Sequence, residues 1–549
     1  VGTSGADPST GVAFNVKVLP ASPFHASNRS SAISVCRKMH PRLPLPATIQ
    51  SSPDGKPSPA RSANHRPLMK TILIAFLGFF PLLPSAAEKP NIIVIFTDDH
   101  GYADLSCMGI EKDVKTPHID HMAAEGVRFT DGYVTAPQCC PSRAGLLTGR
   151  DQNRFGHLSN GFGPLPLTEI TIADRLGKAG YTTGMVGKWH LEPNHNDTGF
   201  IKTHNIDDPW KIPPALALKY HPHSRGFHES FFGSLNRYSA TYDLDGNRFA
   251  QPKSINTKGD RIDRQSDAAM KFIDLHHDKP FFLYLAYFAP HVPLASSKKY
   301  LDRFPGEMPE RRRYALAMLS AVDEGVGRVM KKLQEYKIDQ NTLIFFIGDN
   351  GAPLKLTMAD DPIQLDGAYW NGSKNTPLNG EKGMLAEGGI RVPYLMRWNG
   401  KIPAGQIIRT PVTSLDVAAT SAAAAGIERP ENFDGLNLLP MLATGSPLAD
   451  RALTWRFWRQ SAIRKGNWKL LKFSDRASYL FDLSNDPGEK TNLLDRNPDI
   501  AKQLETQLAD WNSKLVGSDP GSPQEYAFYH RYFNLQMPDK PMPAPPANN

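Results

Sequence analysis

The sequence predicts an α/β fold built on a largely parallel β-sheet with helices on both faces. Three observations carry that expectation: continuous apolar runs of strand length recur, they alternate with stretches of helical period, and polar residues gather where the runs end. NIIVIFTDD (91–99) is the first run, apolar until two carboxylates close it. TIADRLGKAG (171–180) has helical spacing and stops at Gly180, and YTTGMVGKWH (181–190) is the strand after it. KPFFLYLAYFAPH (279–291) and NTLIFFIGDNG (341–351) read as two further buried strands. Between them, residues 308–336 place Leu319, Val322, Val326, Val329 and Leu333 on one helical face. The carboxyl ends of strands in such open sheets are where ligands bind. Residues 192–265, irregular and rich in His, Asn, Gly and Pro, read as long loops over that edge and as the seat of specificity.

After about residue 448 the texture changes. WRFWRQSAIRKGNWKLLKF and SYLFDLSNDPGEKTNLL read as short antiparallel strands with a turn, followed by a helix over 497–515. The expected organisation is a main domain over 88–447, a smaller C-terminal α+β subdomain over 448–518 and a Pro-rich tail over 519–549. At the other end, residues 1–68 lack hydrophobic period and are rich in Ser, Pro, Ala and Arg. They read as a mis-called extension ahead of a start at Met69, or as a disordered region. Residues 69–87 have the parts of a signal peptide: Met69-Lys70, an apolar stretch, and small residues Ser85 and Ala87 at a cleavage site. The apolar run is short and broken by Pro, and no Cys stands at the cleavage site. The expectation is export to the periplasm or the medium with no stable membrane anchor.

The formal charge of +8 comes from the leader, because residues 1–87 hold nine Lys/Arg against two Asp/Glu. The rest is close to neutral, so bulk charge gives no reason to expect a nucleic-acid partner. Of the four cysteines, Cys36 falls in the leader, leaving Cys107, Cys139 and Cys140. An odd number, two of them adjacent, argues against a disulfide scaffold.

Asp98-Asp99 ends the first apolar run and Asp349-Asn350 ends another. Paired Asp after a strand is by itself more often a cap or loop feature. Two such pairs make an all-oxygen set that suits Ca²⁺ or Mg²⁺ and not a thiolate-rich zinc site. Lys188 and His190, in GKWH, and His291, in APHVP, are in isolation ordinary polar residues at strand ends. The most specific string is Cys139-Cys140-Pro141-Ser142-Arg143 followed by AGLLTGR through Arg150.

That string resembles the signature of type I, formylglycine-dependent sulfatases, C-x-P-S-R-x-x-x-L-T-G-R, at every fixed position. The resemblance extends to GKWH (187–190), to His291, and to Lys382 with the EGGIRVP segment after it, and so runs from about Asn91 into the C-terminal subdomain. It implies an alkaline-phosphatase-like main domain and a small domain with a four-stranded antiparallel sheet. It also implies that Cys139 is oxidised by a maturation enzyme to formylglycine (3-oxoalanine), while Cys140 fills the variable position. Asp98, Asp99, Asp349 and Asn350, with the modified residue 139, then hold one divalent cation, usually Ca²⁺ with Mg²⁺ as the alternative. Lys188 and Lys382 bind the sulfate, Arg143 contacts the metal ligands and residue 139, His190 positions the modified residue, and His291 lies near the leaving oxygen. The physical logic agrees: a helix start favours an anion, and a hydrated aldehyde offers one oxygen for attack and a second to expel sulfate.

The implied activity is sulfate-ester hydrolysis. Trp455, Phe457, Trp458 and Trp468 lean the substrate toward a sulfated carbohydrate, since aromatic rings stack on sugars, with an aryl sulfate as the alternative. A phosphate or phosphonate ester hydrolase of the same fold, and an inactive binder of sulfated glycans with Cys139 unmodified, are the competing readings.

Overall fold

Asn91–Asp98 forms strand β1, and its alternation dictates the architecture. Ile92, Val94 and Phe96 enter one apolar cluster, Ile93 and Ile95 another, and all are fully buried. A strand that is apolar on both sides needs cover on both faces of its sheet, and each such side chain contributes about 1.5–3 kcal/mol when removed from water. The computed structural model describes residues 89–354, 370–473 and 477–517. The leader (1–68, with Cys36), the signal-peptide reading (69–87) and the Pro-rich tail (519–549) lie outside the described residues.

The strands that follow are β2 (Val127–Phe129), β3 (Gly132–Tyr133), β4 (Thr182–Gly187), β5 (Glu229–Ser234), β6 (Arg237–Tyr242), β7 (Arg248–Asn256), β8 (Phe281–Pro290) and β9 (Thr342–Gly348). Then come β10 (Tyr394–Trp398), β11 (Gln406–Ile408), β12 (Val412–Thr413), β13 (Ala452–Phe457), β14 (Gln460–Lys465), β15 (Trp468–Phe473) and β16 (Ala477–Asp482). The main sheet has ten strands in the order β11-β2-β10-β9-β1-β8-β4-β5-β6-β7. Its centre, β9 to β5, is parallel, and both flanks bring in antiparallel neighbours, so the sheet is mixed. One face is covered by helices Cys139–Thr148, Ile172–Lys178 and Leu415–Ala424 together with the inner face of β13–β16. The other is covered by Pro117–Ala124, Arg261–His276 and Glu310–Glu335, whose Val322, Val326, Val329 and Leu333 are fully buried.

The four-stranded sheet β13-β14-β15-β16 is antiparallel throughout. Its outer face takes Leu504 and Leu508 of helix Pro498–Ser513 against Ile463, Leu470 and Leu480. Two sequence readings are corrected here. Residues 192–265 are not all loop: β5, β6 and β7 extend the sheet as an antiparallel meander, and Arg261–His276 begins before the range ends. Edge strand β7 is mostly exposed and carries no apolar alternation, which is why its period was illegible. Trp455 and Phe457 are core residues, 2% and 1% exposed, and Trp455 Nε1 donates to the Val134 carbonyl at 2.7 Å. They offer no face to a sugar; Trp458 and Trp468 are partly buried against the apolar clusters. Among the described residues no helix is long and apolar enough to cross a membrane.

Candidate active site

The parallel strands deliver their last residues to one edge. β1 ends in Asp98-Asp99, β9 in Asp349-Asn350, β4 in Lys188, and β8 in His291. The edge requires unusual backbone. Gly187 has φ +101°, and a Cβ there would lie 1.9 Å from the Ala286 carbonyl oxygen. Asp99 takes φ +57°, held at both sides by its N–H on Asp349 Oδ1 (3.0 Å) and by Asn371 Nδ2 on its carbonyl (2.9 Å). Strain of this kind persists only where surrounding groups fix it, and it gathers at working sites.

Cys139 is the first residue of its helix, 1% exposed, and faces these carboxylates. Ligand-type atoms of Asp98, Asp99, Cys139 and His291 all lie within 4.8 Å of one another. The neighbouring Cys140 points elsewhere, its thiol 3.0 Å from His157 Nε2 and donating to the His190 carbonyl at 3.0 Å. Burial pushes the Cys139 thiol up to about 12 despite Lys188 and Lys382 nearby, so unmodified cysteine is a poor thiolate nucleophile here.

Cations surround the acids. Lys188 Nζ donates to Asp98 Oδ2 at 2.6 Å and Lys382 Nζ to Asp99 Oδ2 at 2.9 Å. Arg143, fully buried, donates to Asp349 Oδ2 (2.7 Å) and to the Lys188 carbonyl (2.9 Å). Burial works against ionising Asp98, but Lys188, His291, Arg143 and Lys382 outweigh it and hold the carboxyl well below its ordinary value. Asp349 moves the other way: burial and the adjacent Asp98 charge raise it, with Arg143 opposing. Burial and the Lys188 charge keep both histidines neutral, His291 falling to about 4 and His190 well below the imidazole range.

With this edge described, the comparisons decide the family. The family model for sulfatases matches residues 90–427. The chain belongs to the sulfatase family. A second model, for the N-sulphoglucosamine sulphohydrolase C-terminal region, matches this sulfatase over 380–514. The mouse protein N-acetylgalactosamine-6-sulfatase is 32% identical over 72% of the chain and 74% of its own length. The uncharacterized sulfatase YdeN of Escherichia coli K12 is 32% identical over 70% of this chain and 71% of its own. Among solved structures, Ps i-CgsB in complex with k-i-k-neocarrahexaose superposes with a TM-score of 0.65 at 30% identity, covering 82% of this chain and 98% of its own. A phosphonate monoester hydrolase from Silicibacter pomeroyi, TM-score 0.56 at 20% identity, covers 78% of this chain and 96% of its own and shares the alkaline-phosphatase-like fold. The chain is a sulfuric ester hydrolase, and its family implies a formylglycine and a divalent cation.

The residues present fit such a cation. Asp98 Oδ1 and Asn350 Oδ1 are buried and accept no hydrogen bond, a costly condition unless a cation satisfies them. Asp99, Asp349 and Asn350 are linked to one another, with Asn350 Nδ2 donating to Asp99 Oδ1 at 2.7 Å. The structure thus brings together Asp98, Asp99, Cys139, Arg143, Lys188, His291, Asp349, Asn350 and Lys382. His190 follows Trp189 at φ +58°, partly buried, with Nδ1 unpartnered.

Sequence reasoning missed the residues that hold this set. Asn371 fixes the Asp99 carbonyl and reaches the Pro290 carbonyl at 3.3 Å. Arg261 Nη2 donates to the carbonyls of His291 and Pro293, each at 2.8 Å. Neither lies in a motif; each acts through backbone carbonyls distant in sequence, which leaves no local signal.

Proposed function

We propose that this sulfatase is exported and removes sulfate from a saccharide, using a formylglycine made from Cys139 and a Ca²⁺ held by Asp98, Asp99, Asp349 and Asn350. The observation that carries the proposal is Cys139 at a helix start, sharing one 4.8 Å cluster with Asp98, Asp99 and His291 and flanked by Lys188 and Lys382. The hydrated aldehyde would supply one oxygen as nucleophile, which leaves with the sulfate, and a second that becomes the regenerated carbonyl, and the cation would supply positive charge beside it.

The chain's own residues do the rest. Lys188 and Lys382 each keep N–H donors beyond those spent on Asp98 and Asp99, and these bind sulfate oxygens. Arg143 holds Asp349 and the Lys188 carbonyl in register. His291 is the group placed to protonate the leaving oxygen. Its Nε2 stands 3.6 Å from Asp99 Oδ2, and the arriving sulfate charge raises an imidazole that is otherwise neutral. His190, also neutral, is the candidate base that returns residue 139 to the aldehyde.

Cys139 is buried in the folded chain, so the maturation enzyme must reach it before folding closes the helix start. Support for a saccharide comes from relatives: one is named for N-acetylgalactosamine 6-sulfate chemistry, and another was crystallised with a neocarrahexaose. The test is turnover of a panel of sulfated oligosaccharides, aryl sulfates and matched phosphate esters by protein made with the maturation enzyme. Preference for sulfated saccharides is expected. Preference for phosphate or phosphonate esters, or binding without turnover, would overturn the proposal.

A further inference from the structure

The segment after Lys188–His190 leaves the candidate site and comes back to it. Leu191 starts it, and Trp189 Nε1 donates to the Tyr220 carbonyl at 2.8 Å, so residues 191–220 are tied to the same strand end at both extremities. The buried Asp197 accepts from the N–H groups of Asn194 (2.7 Å) and Gly163 (3.2 Å). Asn160, three residues before Gly163, in turn accepts from the Cys140 N–H at 3.0 Å. The loop is thereby joined to the first turn of the Cys139 helix.

Midway along this loop the rings of His195 and Trp210 stack, centroids 3.6 Å apart and 15° from parallel. Trp210 is nonetheless 75% exposed. With one face on His195, the other face of the indole is open. Its backbone is set by a tight turn in which Asp208 accepts from Trp210 N–H (3.0 Å) and Lys211 N–H (2.8 Å). Next in sequence, Lys211 places its ammonium 2.9 Å from Asp208 Oδ2 and is itself 81% exposed. An indole held this far into water is an expense for a loop that needs only to cover Trp189.

We propose that Trp210, backed by His195, is a stacking platform for a sugar ring of an oligosaccharide whose sulfate reacts at the site. The assignment rests on the saccharide reading above. Four residues lie between His190 and His195, so the backbone that carries the platform starts within about 18 Å of the His190 backbone by chain length alone. Distances up to that bound are within the reach of an oligosaccharide. An indole loses little rotamer freedom on contact.

The experiment compares wild type with Trp210→Ala, Trp210→Phe and His195→Ala on the best sulfated hexasaccharide of a galactan and galactosaminoglycan panel, its monosaccharide sulfate, and 4-nitrophenyl sulfate. Trp210→Ala should raise KM for the hexasaccharide about two- to tenfold, with kcat unchanged and both small substrates unaffected. Trp210→Phe should recover part of the loss, and His195→Ala should show a smaller rise. Equal effects on hexasaccharide and aryl sulfate, or none on either, would overturn the platform while leaving saccharide hydrolysis intact. A change of molecular mass in Trp210→Ala by light scattering would also overturn it, assigning the face to self-association. If the panel is not turned over while 4-nitrophenyl sulfate is, the saccharide reading falls and the platform with it.

Discussion

Replacing Lys469 by Met should loosen the joint between the two sheets. Lys469, on β15 and fully buried, places Nζ 2.9 Å from Glu387 Oε1 and 2.9 Å from Glu489 Oε1. Glu387 also accepts from the Tyr133 hydroxyl (2.6 Å) and from Arg391 (3.3 Å), and Arg464 and Arg391 bridge to Asp131 at 2.7 Å and 3.2 Å. Lys469 is the chief counter-charge to Glu387, so removing its ammonium leaves that buried carboxylate under-compensated. Breaking a buried pair from one side costs about 3–5 kcal/mol. Spread over an unfolding entropy of about 2.1 cal/mol/K for each of roughly 400 residues, that is a fall in Tm of about 4–6 °C.

The pH dependence has a definite sign. One ammonium between two carboxylates leaves one of them to take a proton. Burial and Glu387 raise Glu489 to about 7, against its ordinary 4.5, despite the Lys469 contact. A proton bound only in the folded state stabilises less as pH rises; with the ammonium gone Glu489 is raised further, so the loss caused by the Met substitution should grow by up to about 1 kcal/mol from pH 7 to pH 8. Scanning calorimetry at the two pH values reads both effects. A loss under about 1 kcal/mol, or one independent of pH, would refute the reasoning that this joint is held by mutually dependent buried charge.

Three further outcomes follow from the same structure. In the otherwise wild-type protein, Glu489→Gln should flatten the decline of stability as pH climbs from 4.5 to about 7; the contribution of Glu387, depressed to about 2, is present above 4.5 and is lost as pH falls toward 2. Urea midpoints across that range check both. Cys140→Ala should keep sulfate release within about tenfold of wild type, since its thiol bonds His157 and the His190 carbonyl and not the acidic cluster; Cys139→Ala should abolish it. Chelation should lower Tm and activity together, with Ca²⁺ restoring both; a cation at a hundred times its Kd adds about 2.7 kcal/mol, and its loss would leave Asp98, Asp99 and Asp349 to repel one another.

Much of the fold was legible because the central strands are buried on both faces, and unbroken apolar runs such as 92–96 and 281–287 have no other use. Much of the candidate site was legible for a related reason: its acids, Lys188 and His291 follow those runs, whereas Lys382 lies in a loop and was marked only by the family motif. Edge strand β7 was not, because an exposed edge needs no apolar period. Asn371 and Arg261 were missed because they act on backbone carbonyls made adjacent only by the fold. The aromatic residues 455–458 misled, since burial in a joint and stacking on a sugar call for the same side chains, and only exposure separates them. By that criterion Trp210 is the ring to watch.

The most direct test of the account is the chemical state of residue 139 in active protein. Tryptic digestion after Arg128 and Arg143 releases the peptide from Phe129 to Arg143, which contains both adjacent cysteines. The account predicts one cysteine replaced by an aldehyde, with fragment ions placing it at 139, and sulfate release proportional to the modified fraction. Two intact cysteines in protein that still releases sulfate would contradict it, because the nucleophile would then not be a formylglycine at 139.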